Sequence, residues 1–312
     1  MRHFFLFICL LAAILLGTDF VITKLFDKLY ERVMTGQTGG EINQYLSFPT
    51  HPKVLIMGNS RARYQVDPDS FAASTYSLCH AGMGQVFQTG LLQVIAKENK
   101  LPSTIILHVD FEEYLAKDNL EDIGNLRYYY RKIPSITACI DKISTIEKIK
   151  YLFQFYRYNG RVISTLKNFI QSRNYVFKGN GYQSLAPIAN DSSTFIQTLP
   201  LVNTPQPHFY HQNLQHLESF ISICKLNHVN LICFTSPYFS KRPSAAVAAF
   251  TIDSLLRARH IPYLNAVAYP LPVLEHHALF WQDPDHLNKL GAGYFSQQLA
   301  QWSKPFLTTD SI

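Results

Sequence analysis

Five short apolar runs constrain this chain more than any other feature. They lie at 53–57, 75–79, 104–109, 229–235 and 262–265, each bounded by proline, glycine or polar residues. They are too short for buried helices and rich in Val, Ile and Leu. Apolar residues follow one another instead of alternating with polar ones, as they do in strands covered on both faces. Between and after them, 86–97, 214–226, 245–259 and 289–302 carry apolar residues at helical spacing. Strands alternating with helices form βαβ units, and right-handed crossovers place helices on both sides of the sheet. The expected fold is an α/β, three-layer α/β/α sandwich on a mainly parallel sheet.

The stretch from about 115 to 207 breaks the alternation and predicts a helical insertion. Ile136, Ile140, Ile143, Ile146, Ile149, Phe153 and Tyr156 recur at helical spacing, and 176–207 is loop-like. Between 117 and 178 there are 12 Lys/Arg against 5 Asp/Glu, whereas the whole chain carries a net charge of +6. The insertion therefore holds all of the positive excess. It also holds Tyr128, Tyr129, Tyr130, Tyr151, Tyr156, Tyr158 and Tyr175. Cations and aromatic faces together suit an anionic glycan. They also suit lipid headgroups, or a solvated basic face over a tyrosine core. The chain-wide charge is too mild to imply nucleic acid.

The amino terminus reads as a targeting segment, 1–22. Arg2 and His3 precede an apolar run from Phe4 to Leu16, which Phe20, Val21 and Ile22 extend past Asp19. No small-x-small cleavage site follows. The segment is read as a signal anchor, with membrane contact through 4–22 and the rest of the chain extracytoplasmic; a cleaved signal peptide is the alternative. Lys24, Lys28 and Arg32 follow it, an arrangement the positive-inside rule does not favour. Residues 23–50 read as a stalk, 51–303 as the folded domain with its insertion, and 304–312 as a tail. At 47% hydrophobic and 16% charged, the chain is not disordered. With a single segment near spanning length, it is not polytopic.

Two motifs point to chemistry. Gly58-Asn59-Ser60-Arg61 leaves the first strand, at the sheet edge where open parallel sheets bind ligands. There a serine either presents its hydroxyl or caps a helix. Asp283-Pro-Asp-His286-Leu-Asn288 precedes the closing helix. A carboxylate three residues before a histidine can hold one ring nitrogen while the other faces a nucleophile; it can equally be a helix start. The cysteines show no CxxC spacing, so zinc and redox chemistry find no support. His208-Phe-Tyr-His211 and Glu275-His276-His277 read as surface or structural histidines. No metal and no cofactor are expected.

Taken together, the serine after the first strand and the Asp-x-x-His before the last helix resemble the SGNH (GDSL-like) hydrolase superfamily, over roughly 50–114 and 208–303. The closest resemblance is to its membrane-anchored branch associated with cell-envelope or exopolysaccharide modification. It implies a flavodoxin-like sheet. Ser60 is implied as nucleophile, His286 as base and Asp283 as its orienter. The backbone N–H groups of Ser60 and Gly82 are the implied oxyanion donors, Gly82 following the second strand in Cys79-His-Ala-Gly82. The implied activity is a serine esterase or O-acyltransferase on acyl esters of an envelope glycan. One block departs: where the superfamily has Gly-x-Asn-Asp, this chain has Leu107-His-Val-Asp110. Asp110 offers no donor, which is the reason for the alternative reading as a non-catalytic glycan-binding or envelope-assembly protein. Asn59 or Arg61 is expected beside Asp110 or the Ser60 hydroxyl.

Overall fold

All five apolar runs become strands, and every pairing is parallel. In the computed structural model, which describes residues 1–115, 120–173, 179–186, 208–239, 245–275 and 277–307, the strands are β1 (Val54–Met57), β2 (Thr75–Ser77), β3 (Thr104–His108), β4 (Asn230–Thr235) and β5 (Tyr263–Asn265). Their order is β2-β1-β3-β4-β5. The chain runs outward from β1 to β2, then returns past β1 to β3. This reversal leaves a crevice at the carboxyl ends of β1 and β3, the general location for a ligand in a doubly wound sheet.

The helices, in chain order, are α1 (Arg2–Tyr30), α2 (Glu41–Ser47), α3 (Ser60–Gln65), α4 (Gln85–Lys97), α5 (Pro134–Ile143), α6 (Thr145–Lys150), α7 (Val162–Ser172), α8 (His211–Leu226), α9 (Ala245–Ala258) and α10 (Lys289–Ser303). They fall into two units: Met1–Phe48 with Leu120–Phe177, and Pro49–Asn119 with Lys178–Ile312.

The second unit holds the sheet. Val54, Ile56, Ile106, Ile232 and Phe234 pool with Ala62 of α3 and with Ala292, Phe295 and Leu299 of α10. The intervening Leu55, Met57, Ile105, Leu107, Leu231 and Cys233 point the other way and are also buried. There α4 and α8 pack on one another, and α8 on β4. Three layers result, and burial on both faces explains why β1, β3 and β4 read as nearly continuous apolar runs. Edge strand β2 is shielded: Ser77 N donates to Asn180 O at 2.8 Å, and Gly181 lies so near that an added Cβ would sit 2.0 Å from Ser77 O. Residues 179–186, inside the predicted insertion, thus return to the sheet. Residues 116–119, 174–178 and 187–207 of that insertion lie outside the described residues.

In the first unit, α1 runs on through much of the segment read as a stalk, and its Thr23, Asp27 and Tyr30 are buried. The apolar periodicity over 136–156 does not form one helix. Ser144 is extended (φ −166°, ψ 156°), and its hydroxyl accepts from Glu147 N at 3.1 Å, ending α5 and starting α6. Ile136 and Ile140 are core, but Ile146, Ile149 and Phe153 face outward. Most of the tyrosines are core too. Tyr30 stacks on Tyr128 at 4.3 Å and Tyr130 on Tyr151 at 3.9 Å between ring centroids. Rings that the sequence offered for sugar stacking therefore hold this unit together; Tyr175 lies outside the described residues.

Ile106 sits in the centre of the sheet, fully buried. Truncation to Ala is expected to cost about 2–5 kcal/mol. The check is the urea midpoint, which should fall with the slope of the transition unchanged.

Candidate active site

Ser60 is the first residue of α3, three positions after β1 ends. The turn between them requires Gly58. A Cβ there would lie 2.6 Å from His108 Cβ and 2.8 Å from Ala62 Cβ, because the ends of β1 and β3 converge. Gly58 O in turn accepts from Gln88 Nε2 and His80 N, both at 2.9 Å. Asn59 caps α3 by accepting from Arg61 N at 3.0 Å. These contacts aim the Ser60 hydroxyl without using it.

His286 arrives from the other end of the chain. Its Nε2 lies 2.9 Å from Ser60 Oγ, and its Nδ1 lies 2.9 and 3.0 Å from the two Asp283 oxygens. Asp283 Oδ1 also accepts from the backbone N–H groups of Asp285 (2.8 Å) and His286 (2.9 Å). The carboxylate is thus fixed by its own turn before it meets the imidazole. Burial raises the Asp283 carboxyl, but the His286 hydrogen bond and the two backbone donors outweigh it, so its pKa lies below the ordinary value. The Asp285 carbonyl accepts from Gln65 Nε2 at 2.7 Å.

Asn288 explains why the motif continues past the histidine. Fully buried, it accepts from Leu290 N and Gly291 N at the start of α10 and donates to Leu279 O at 2.7 Å. It therefore ties the histidine loop to the closing helix. Leu287, also fully buried, pairs with Trp281 across the loop. The ring of Tyr64, one turn after Ser60, meets His286 edge-on at 5.8 Å.

Asp110 caps the turn after β3, accepting from Glu112 N at 3.1 Å. Asn59 Nδ2 donates to its Oδ2 at 2.9 Å, and Arg61 Nη1 lies 3.7 Å from its Oδ1. Burial raises this carboxyl, while Arg61, His108, Asn59 and Glu112 N together carry it below its ordinary value. Both neighbours named from the sequence, Asn59 and Arg61, are thus at Asp110. Its charge is met by a cation and an amide rather than left facing a forming oxyanion. Arg61 is 3% exposed, donates to Ser236 O and to Pro237 O (2.9 Å), and stacks on Tyr238 at 3.6 Å. Gly82 sits on the exposed turn after β2 at φ +72°, a left-handed position that suits glycine.

Sequence reasoning missed the layer beneath. His108, Ser236 and Tyr238 carry no motif. Their only signal was position: each stands at the carboxyl end of β3 or β4, polar after an apolar run. No metal-sized cluster of His, Cys, Asp or Glu occurs among the described residues. His276 lies outside them.

A hydrogen-bonded Ser–His–Asp chain at the carboxyl edge of a doubly wound parallel sheet is thus what this chain holds. No family model and no curated protein matches it. Three solved structures are similar to it in fold. One is a protein from Bacteroides fragilis assigned as an acylhydrolase: TM-score 0.43 and 10% identity, over 84% of this chain and 90% of that one. Another, from Streptococcus pneumonia, is described as a platelet activating factor: TM-score 0.46 and 9% identity, over 92% and 99%. The third is a GDSL-like lipase from Bacteroides thetaiotaomicron: TM-score 0.40 and 10% identity, over 81% and 88%.

His108 supplies a pH test. Its Nε2 lies 2.8 Å from Ser236 Oγ, and burial, with Arg61 adding to it, lowers its pKa to about 3. The folded protein keeps this ring neutral, whereas the unfolded chain protonates it near its ordinary value of 6.5. Stability is therefore retained above that value and lost as pH falls towards 3, by up to about 1.4 kcal/mol per pH unit. His108→Gln, which keeps a partner for Ser236, is expected to flatten this slope in urea midpoints measured from pH 7 to 4. An unchanged slope would contradict a buried neutral ring.

Proposed function

We propose that this protein is an extracytoplasmic, membrane-anchored serine esterase or O-acyltransferase acting on acyl esters of an envelope glycan. The observation that carries the reading is the continuous relay from Asp283 through His286 to Ser60. Ser60 Oγ attacks the ester carbonyl and its proton passes to His286 Nε2. The tetrahedral oxyanion forms against the backbone N–H groups of Ser60 and Gly82. Collapse expels the alcohol, which takes the proton back from His286, and leaves Ser60 acylated. Water or a second hydroxyl, deprotonated by His286, then attacks the acyl-enzyme; as the acyl group leaves on it, the proton returns from His286 to Ser60 Oγ. Asp283 stabilises the imidazolium at each step and holds the tautomer that faces Ser60.

The envelope location rests on α1, the single helix among the described residues long and apolar enough to cross a membrane. The glycan rests on the basic excess of 117–178 and on the resemblance of the motifs. A second reading, a non-catalytic glycan-binding or assembly protein, draws on one observation: the turn after β3 presents Asp110 in place of an amide, and the Asn59 amide is spent on that carboxylate. Losing one oxyanion donor costs about 10²–10³ in rate.

Covalent labelling separates the two. An activated serine is expected to react with a fluorophosphonate, with the adduct on Ser60. Ser60→Ala and His286→Ala should abolish both labelling and hydrolysis of p-nitrophenyl acetate. Asp283→Asn should lower kcat by about 10³-fold or more while the fold persists. A folded wild-type chain that takes no label would establish the binding-protein reading.

A further inference from the structure

The first unit contains a built basic cavity that the proposed chemistry does not use. It measures about 240 Å³, and its lining includes Lys24, Asp27, Arg131, Lys132, Tyr151 and Arg157. Four cations face one carboxylate. Arg157 reaches Asp27 at 3.3 Å, and Tyr158 donates its hydroxyl to the other Asp27 oxygen, so that carboxylate is already occupied. Arg157 Nε and the Tyr151 hydroxyl have no hydrogen-bond partner, although both residues are more than nine-tenths buried. Lys132 Nζ lies 3.4 Å over the Tyr128 ring, and burial pushes its pKa down to about 8. Cations held this way, beside unsatisfied donors, match an acceptor-rich anion with no hydrogens to donate.

The depth of the cavity indicates where that anion would come from. On α1, the apolar side chains from Phe4 to Ile22 are exposed, and burial begins at Thr23. The Asp19 carboxylate accepts from Gln154 N at 2.7 Å and Phe155 N at 3.0 Å. These bonds seat the 152–155 turn against the helix at that level, with Leu152 and Phe153 exposed beside it. At about 1.5 Å per residue, Lys24 lies roughly 7.5 Å beyond Asp19, about the depth of one headgroup layer.

We infer that this cavity binds the phosphate of an anionic membrane lipid where α1 leaves the bilayer. The inference rests on α1 being a membrane anchor. Leu152 and Phe153 enter the interface, and Lys24 and Arg131 close on the phosphate from its rim.

The test uses the full chain in a neutral detergent, titrated with dihexanoyl-phosphatidylglycerol, dihexanoyl-phosphatidylcholine or inorganic phosphate. Phosphatidylglycerol is expected to raise Tm by about 3 °C or more near saturation. Phosphatidylcholine should do far less. The double variant Lys24→Gln/Arg131→Gln changes only exposed side chains and should bind phosphatidylglycerol about 10-fold more weakly or worse. No shift, or an equal shift in the double variant, overturns the site. An equal shift with inorganic phosphate overturns the lipid assignment. Retention of the chain in alkali-washed membranes reads the anchor separately. A chain that washes off yet still binds the short-chain lipid would refute the anchor and not the cavity.

Discussion

The buried guanidinium of Arg61 ties together the strand ends that hold the Ser60–His286–Asp283 chain. It lies one residue after Ser60, donates to two carbonyls after β4, faces Asp110 after β3 and stacks on Tyr238. The carboxyl ends of three adjacent strands are thereby drawn around one cation. A buried charge is stable only when paired and hydrogen-bonded, so removing any of these partners strands the rest. Asp110 is held ionised by this arrangement, and His108 is held neutral beside it. The Asp110 carboxylate is thus absorbed into a structural ion pair.

The histidine loop is built on a different principle. Asp283 is oriented by the backbone N–H groups of Asp285 and His286, Asn288 by the start of α10, and the loop by Gln65 of α3. Ser60 and Gln65 belong to the same short helix. One element therefore carries Ser60 and also grips the loop that carries His286, so the 2.9 Å contact between them does not depend on a long lever.

The first unit follows other rules. Its core adds stacked tyrosines and the buried Arg157–Asp27 ion pair to aliphatic residues such as Val33, Ile123, Ile136 and Ile140. A second set of aliphatic side chains is turned outward: Ile146, Ile149, Leu152, Ile163 and Ile170 are all more than half exposed. In water such a distribution is costly. These side chains lie in the same unit as α1, whose exposed apolar run is long enough to cross a membrane.

The sheet was legible in the sequence because two-sided burial leaves an unmistakable run of apolar residues, and short turns leave little freedom in how successive units connect. The serine turn and the Asp-x-x-His loop were legible because each is local, a few residues whose spacing sets their geometry. The apolar recurrence over 136–156 misled, since periodicity records which residues share a face and not whether a core covers it; Ser144 breaks that stretch, and its second half faces outward. The sequence anticipated Arg61 beside Asp110, but it could not reveal that His108, Ser236 and Tyr238 join them in one cluster. They come from three strand ends separated by up to 177 positions, and only strand pairing brings them within reach. By itself the sequence determined the strands, their crossovers and the two short motifs, because those follow from local spacing and burial. Tertiary structure alone decided that His108, Ser236 and Tyr238 lie beside the Arg61–Asp110 pair, that the tyrosines are core, and that four cations share a cavity, because each depends on contacts between segments distant in the chain.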